Sequence, residues 1–276
     1  MSLAAESRRR PADAGPSKEL IARSFGRAAA SYDAVASLQR EIGQQLLDSA
    51  PEAHALDIRR ALDVGAGTGH FSAALAERYP EARVIAVDLA EGMLRQATKR
   101  FAGWRVVGDA ECLPVASRSV DLVFSNVALQ WASSAGAAFQ EFHRVLRPGG
   151  RLLFTSFGPG TLRELREAWA HVDVHTHVNE FIAPDLLQTL LYEAGFVGIS
   201  FHQEARVLEY PDVFALMREL KGLGASNLNP GRPRHLLGRG ALETVQAAYP
   251  VAASGRVPAS FEVIEGRASC PGEENQ

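Results

Sequence analysis

The chain has little sulfur. Its two cysteines, Cys112 and Cys270, stand far apart in the sequence. They make neither a disulfide framework nor a zinc motif, so a reducing cytoplasm is the expected setting and no bound metal is expected. No apolar run reaches the roughly 18 residues that a membrane-spanning helix needs. Neither sign of charge dominates: the formal net charge is −3, which disfavours nucleic acid as the main partner. There is no internal repeat. Residues 1–17 carry Arg8, Arg9 and Arg10 with no apolar stretch behind them, unlike a secretory signal. Together with residues 267–276 they are expected to be disordered tails.

What the chain does have is concentrated in residues 61–76, Ala-Leu-Asp-Val-Gly-Ala-Gly-Thr-Gly-His-Phe-Ser-Ala-Ala-Leu-Ala. A short apolar strand runs into Gly65, Gly67 and Gly69, and an amphipathic helix follows. Glycines at alternate positions permit a tight turn and leave bare main chain for a ligand. The helix start offers unpaired N–H groups. This pattern predicts a nucleotide-cofactor site. The dinucleotide fingerprint is G-x-G-x-x-G; here the third glycine comes one residue early, and Asp63 precedes the first. A carboxylate repels a pyrophosphate and welcomes a cationic sulfonium with a free amino group, which favours S-adenosylmethionine over NAD.

The following segments fit one crevice. The β-branched run Arg83–Asp88 ends in an acid at the spacing expected of a ribose carboxylate, with Leu89 next. A third strand, Trp104–Asp109, leads into Ala110 and Glu111. There an acid can accept the adenine amino group, and Ala110 can offer a backbone N–H to the ring. A fourth, Val120–Asn126, ends in polar residues beside the same crevice. A helix over Ala137–Leu146 and a tight turn at Arg147–Gly150 feed a strand at Arg151–Thr155. The expected cofactor contacts are Asp63, Gly65, Ala66, Gly67, Asp88, Leu89, Asp109, Ala110, Glu111 and Asn126.

The signals D-V-G-A-G-T-G, V-D-L, G-D-A-E-x-L-P, D-L-V-F-S-N and L-R-P-G-G resemble those of class I S-adenosylmethionine-dependent methyltransferases, across about residues 58–157. The resemblance implies an α/β, Rossmann-like fold: a seven-stranded, mostly parallel sheet with a reversed last strand and helices on both faces. The flanks narrow it. Ile21–Arg40, Ser125–Trp131, His177–Phe181 and above all Leu216–Asn227, followed by Gly231-Arg232 and Leu237–Arg239, are similar to the malonyl-acyl-carrier-protein O-methyltransferases of biotin synthesis. That resemblance covers about residues 21–265. It implies methyl transfer to the free carboxylate of a malonyl thioester, on acyl carrier protein or coenzyme A.

Periodicity organises the rest. Residues 18–57 read as an N-terminal helical lid, with Phe25, Tyr32, Val35, Leu38, Ile42 and Leu46 at helical steps. Residues 58–157 form the cofactor core, and 158–266 hold the remaining sheet with an insertion at about 205–249. Helices are expected at Thr161–Val172, at Asp185–Ala194 between Pro184 and Gly195, and at Asp212–Leu220. Strands are expected at Val197–Gln203 and near Ser260–Glu265. A monomer is expected.

A carboxylate nucleophile is already ionised at neutral pH, so no general base is sought. Charge-assisted donors should hold the acceptor. Tyr32, His177 and Lys221 are the leading candidates for catalysis. Gln39, Arg40, Trp131, Asn227 and Arg232 are candidates for substrate binding. Residues 218–239 hold Arg218, Lys221, Arg232, Arg234 and Arg239 against one acid, Glu219. Such a basic block suits an acidic acyl carrier protein. Three alternatives stay open: a methyltransferase for another small acid or a quinone precursor, a cofactor-binding regulator, and, disfavoured by Asp63, an NAD-dependent oxidoreductase.

Overall fold

The computed structural model describes residues 17–52, 57–225, 228 and 238–272. A seven-stranded sheet of order β3-β2-β1-β4-β5-β7-β6 is its centre. The strands are β1 (Arg60–Val64), β2 (Arg83–Asp88), β3 (Trp104–Val107), β4 (Val120–Ser125), β5 (Leu146–Phe157), β6 (Val197–Tyr210) and β7 (Val257–Ser269). The first five pair in parallel, and β7 runs antiparallel to both β5 and β6. β4 is buried at every position, as a central strand covered on both faces must be.

Helices flank the sheet. α4 (His70–Arg78), α5 (Glu91–Ala97) and α6 (Ala135–Val145) belong to the cofactor half; α7 (Arg163–Ala170) and α8 (Pro184–Glu193) follow β5. Phe139, Phe142 and Phe154 fill one buried face, and Leu62, Val123 and Leu152 join them. Before β1 the chain forms three helices, α1 (Lys18–Ala28), α2 (Tyr32–Val35) and α3 (Ser37–Asp48). The expected lid is thus helical but broken twice. α3 buries Leu38, Ile42, Leu46 and Leu47 against the domain.

Several expected bounds are corrected. The C-terminal tail is shorter than 267–276: β7 runs to Ser269, Cys270 is buried, and Pro271 accepts a hydrogen bond from the Gly149 N–H. Of the two expected tails, 1–16 and 273–276 lie outside the described residues, while Ser17 caps α1. The late insertion does not start at 205, because β6 continues to Tyr210 alongside β7. It holds α9 (Val213–Gly222), capped by the Asp212 side chain, and α10 (Arg239–Ala248). Arg147–Gly150 is no turn ahead of a strand but lies within β5, where the pairing with β4 shifts register and Gly149 takes φ +74°. A bulge absorbs the glycine pair without ending the strand. α7 is shorter than Thr161–Val172, since Leu162 sits in the left-handed region at its start.

Candidate active site

The glycine loop leaves the C-terminal end of β1, where open parallel sheets hold their ligands. Gly65, Gly67 and Gly69 all have positive φ, between +54° and +78°. A Cβ at Gly65 would lie 2.2 Å from Ala128 Cβ, whereas one at Gly67 would meet nothing within 4 Å. Gly65 is required by packing; Gly67 keeps its flank open to the crevice. The Gly67 N–H donates to Asp88 Oδ2 (2.8 Å), and the Ala90 N–H donates to Asp88 Oδ1 (2.7 Å). Burial nevertheless pushes the Asp88 carboxyl up to about 6, against those two hydrogen bonds.

A cavity of about 820 Å³, mouth included, opens there. That is a size suited to a small-molecule ligand. Gly65, Gly67, Asp88, Leu89, Asp109, Ala110 and Asn126 line it, as the sequence leads one to expect. Asp63, Ala66 and Glu111 do not. Asp63 is buried behind the loop and accepts from Ser72 Oγ at 2.6 Å. Burial raises its carboxyl to about 7, the Ser72 bond opposing and the neighbouring Asp88 charge adding. Glu111 sits beside Asp109, and Lys18 from α1 pairs with both.

A second cavity, about 740 Å³ with its mouth, adjoins the first. Its walls are largely apolar: Phe157, Leu162, Leu165, Val178, Phe181 and Phe261 among them. Phe25, Tyr32, Val127 and Trp131 line both spaces. Phe25 and Trp131 meet edge to face, with centroids 5.0 Å apart. Val127 holds φ +50°, costly for a β-branched residue. Neighbours fix it there: its N–H donates to Thr155 Oγ1 (2.9 Å), and its carbonyl accepts from Gln130 Nε2 (2.9 Å). Such strain typically marks functional sites.

Of the expected acceptor residues, Tyr32, Gln39, Trp131 and His177 line this second cavity. Arg40 does not; its guanidinium donates to the Asp33 carbonyl (2.6 Å). Lys221 is exposed at the end of α9, outside the lining. Asn227, Arg232 and Arg234 lie outside the described residues. Burial and the Asp88 and Asp33 charges raise the Tyr32 phenol far above its ordinary range. The sequence reading missed Lys18, Val127 and Gln130. Nothing in a linear pattern marks a lysine that reaches 91 positions along to Asp109, or a valine forced to positive φ. Among the described residues no group of three or more His, Cys, Asp or Glu could hold a metal. No helix there is long and apolar enough to cross a membrane.

α1 and α2 close over the crevice by named contacts. Asp33 accepts from Thr68 Oγ1 (2.6 Å) on the glycine loop and pairs with Arg100 beyond α5. Ser24 Oγ donates to the Gly224 carbonyl (2.9 Å) beyond α9. The lid therefore touches the walls of both cavities.

Residues 62–154 match a methyltransferase domain family. A malonyl-[acyl-carrier protein] O-methyltransferase from Methylococcus capsulatus is 50% identical, over 90% of this chain and 92% of its own. One from Laribacter hongkongensis is 44% identical, over 92% and 90%. Among solved structures, the YcgJ protein from Bacillus subtilis has a TM-score of 0.61 at 15% identity, over 84% of this chain and 98% of its own. A methyltransferase from Thermotoga maritima has a TM-score of 0.54 at 17% identity, over 90% and 98%. These two share the sheet and its helical layers. With the relatives spanning nearly the whole chain, lid and late helices included, this chain belongs to the malonyl-acyl-carrier-protein O-methyltransferase family, on a class I methyltransferase fold.

Proposed function

We propose that this enzyme transfers the methyl group of S-adenosylmethionine to the free carboxylate of a malonyl thioester, carried on acyl carrier protein or coenzyme A. The product is the methyl ester from which the pimelate chain of biotin is built. The observation that carries this reading is the shared wall of Phe25, Tyr32, Val127 and Trp131 between two cavities of opposite character. One is edged by glycines and carboxylates, the other by apolar side chains. The names of the relatives support the acceptor.

The first cavity suits the donor. Gly67 offers bare backbone with open space beside it. Asp88, at about 6, ionises readily to accept from ribose hydroxyls. Asp109 stands where an adenine amino group could donate, with Ala110 and Leu89 beside the ring and Asn126 at the boundary. Asp63 holds the loop and α4 from behind. The donor, when bound, supplies an already activated methyl group. The residues of the chain need only align and dry the acceptor. Such alignment is worth about 7–11 kcal/mol in favourable cases. Excluding water also removes the hydration that blunts a carboxylate nucleophile. The raised Tyr32 phenol stays neutral and acts as an O–H donor to the acceptor, not as a base.

The thioester arm has its own match. The buried Gln39 and Gln130 side-chain oxygens have no hydrogen-bond partner among the described residues, and both residues line the second cavity. Buried acceptors need donors. A malonyl group has none, but the amides of a pantetheine arm have N–H groups to give. Esterification would remove the negative end of the malonyl group and leave it resembling a growing fatty chain. The acidic carrier protein would dock on the basic residues of 218–239, of which Arg218, Lys221 and Arg239 are exposed.

Labelled S-adenosylmethionine offered with malonyl-acyl carrier protein, malonyl-coenzyme A or malonate tests the reading. Label should pass to the thioesters and hardly to free malonate. Transfer to none of the three overturns the acceptor.

A further inference from the structure

We propose that the malonyl carboxylate is anchored by the His177 imidazolium, and that Asp173 and Trp169 are positioning residues that hold this ring. The proposal rests on the malonyl-thioester reading above and names the group that recognises its charge.

The acceptor cavity lacks obvious countercharge. No lysine or arginine lines it among the described residues. Arg40 is spent on the lid backbone, and Lys221 is exposed and not among the lining residues. A carboxylate drawn into apolar walls without a countercharge or strong donors would be held out by its own hydration. His177 is the one lining side chain among those described that can be positive. Its side chain is only 6% exposed.

The ring is not loose in that position. The last turn of α7 presents Trp169 and continues into Asp173, whose N–H donates back to the Trp169 carbonyl (3.3 Å). Asp173 Oδ1 accepts from the His175 N–H (2.8 Å) and meets His177 Nε2 at 2.9 Å. The imidazole lies flat on the Trp169 indole, with centroids 3.9 Å apart and planes 6° from parallel. A buried Trp169 face favours a cation over it. α7 is itself fixed to the sheet: the buried Glu164 carboxylate accepts from the Ser260 N–H (3.0 Å) on β7. With Nε2 committed to Asp173, Nδ1 is the ring atom left for a ligand. A carboxylate meeting Nδ1–H would sit across the ring from Asp173, and the positive ring would bridge the two.

This arrangement differs from a packed core histidine in one measurable way: it distinguishes substrate from product. The malonyl thioester carries the charge that the methyl ester has lost. Wild type, saturated with S-adenosylhomocysteine, should bind malonyl-coenzyme A more tightly than its methyl ester in calorimetry. A charge-assisted hydrogen bond corresponds to about 10- to 100-fold in binding. His177→Gln should weaken malonyl-coenzyme A by about that factor, leave the ester within about threefold, and so abolish the preference. Asp173→Asn should lose part of it, Asp173→Glu should restore it, and S-adenosylhomocysteine affinity should stay unchanged in both. In turnover the loss should fall on KM for the malonyl substrate more than on kcat. If His177→Gln does not fold, the Asp173 pair carries the test alone. Variants that weaken acid and ester equally, or that keep the preference, overturn the anchor while the malonyl reading stands. Wild type that methylates no malonyl thioester overturns the reading itself and the anchor with it.

Discussion

Gly65 and Gly67 share a left-handed backbone for different reasons, and substitution separates them. An L side chain at positive φ costs about 1–2 kcal/mol at either site. At Gly67 there is nothing to strike, so Gly67→Ala should lower Tm by only a few degrees. Its methyl would stand in the cofactor crevice, and S-adenosylhomocysteine affinity should fall about tenfold or more by calorimetry. Gly65→Ala adds a collision 2.2 Å from Ala128 Cβ and should lose stability and binding together. Two acids beside the loop, Asp88 in the cavity wall and Asp63 buried behind it, set a pH dependence. Burial raises Asp88 to about 6 and Asp63 to about 7, above the ordinary 3.8. The folded, ligand-free chain therefore binds these protons more tightly than the unfolded chain does. Its stability should fall as pH rises from about 4 to about 7, and then level. On the proposed reading, in which an ionised Asp88 accepts from the ribose hydroxyls, donor affinity should move the other way. Below pH 6 it should weaken by about tenfold per unit, and above 7 it should be flat. Titrating S-adenosylmethionine between pH 5 and 8 reads the curve. An Asp88→Asn variant with the wild-type slope would assign the linkage to another group.

Helix α1 reaches its seat because Gly92 of α5 has no side chain, whereas a Cβ on Gly26 of α1 would meet nothing within 4 Å. A Cβ on Gly92 of α5 would come within 2.8 Å of the Gly26 carbonyl oxygen and 2.9 Å of Gly26 Cα. Gly92→Ala should therefore strengthen α5 by up to about 1 kcal/mol while pushing α1 off the crevice. The expected result is an unchanged or raised Tm in the ligand-free protein. Donor affinity should be weaker, and limited proteolysis should cut faster between α1 and α3. Donor affinity equal to wild type would show that the lid does not need this crossing. Elements of this kind also mark how far the sequence could be read. β1, β2 and β4 were legible because buried parallel strands are continuous apolar runs, here ending in residues that line the first cavity. α8 was legible because Pro184 and Gly195 bracket it. That Gly65, Gly67, Asp88 and Asp109 line one cavity was legible for the same local reason: a fixed offset from a strand end. β6 was not, because its edge position lets polar residues through to Tyr210 and hides where the strand stops. Neither was the division between Arg40 and Gln39. One step of α3 decides that Gln39 lines the cavity while Arg40 turns to the Asp33 carbonyl. Tertiary choices of that size leave no period in the sequence.

At the scale of the whole molecule, charge is arranged against its average. The chain is net negative at −3, yet residues 218–239, from within α9 to the start of α10, carry Arg218, Lys221, Arg232, Arg234 and Arg239 against the single acid Glu219. Two of the described ones are well placed to meet a partner. Arg218 is exposed on α9, and the Arg239 side chain is 93% exposed at the start of α10, where it pairs with Glu243 one turn on. Neither lines the acceptor cavity. An exposed i,i+4 pair adds at most about half a kcal/mol, so removing it should not disturb folding. What these residues supply is a field felt across roughly a Debye length, about 10 Å at 0.1 M salt. An acidic carrier protein would be steered by it; a small thioester that enters the cavity directly would gain less. Reversing both charges, Arg218→Glu with Arg239→Glu, should cut kcat/KM for malonyl-acyl carrier protein by about tenfold at low salt. The same variant should leave malonyl-coenzyme A within about twofold and Tm within error. Raising salt should lower the wild-type rate on the carrier-bound substrate toward that of the variant, because screening and charge reversal remove the same attraction. Equal losses on both substrates would place these arginines in the chamber or in folding. A carrier-protein rate insensitive to salt in wild type would move the docking surface elsewhere on the molecule.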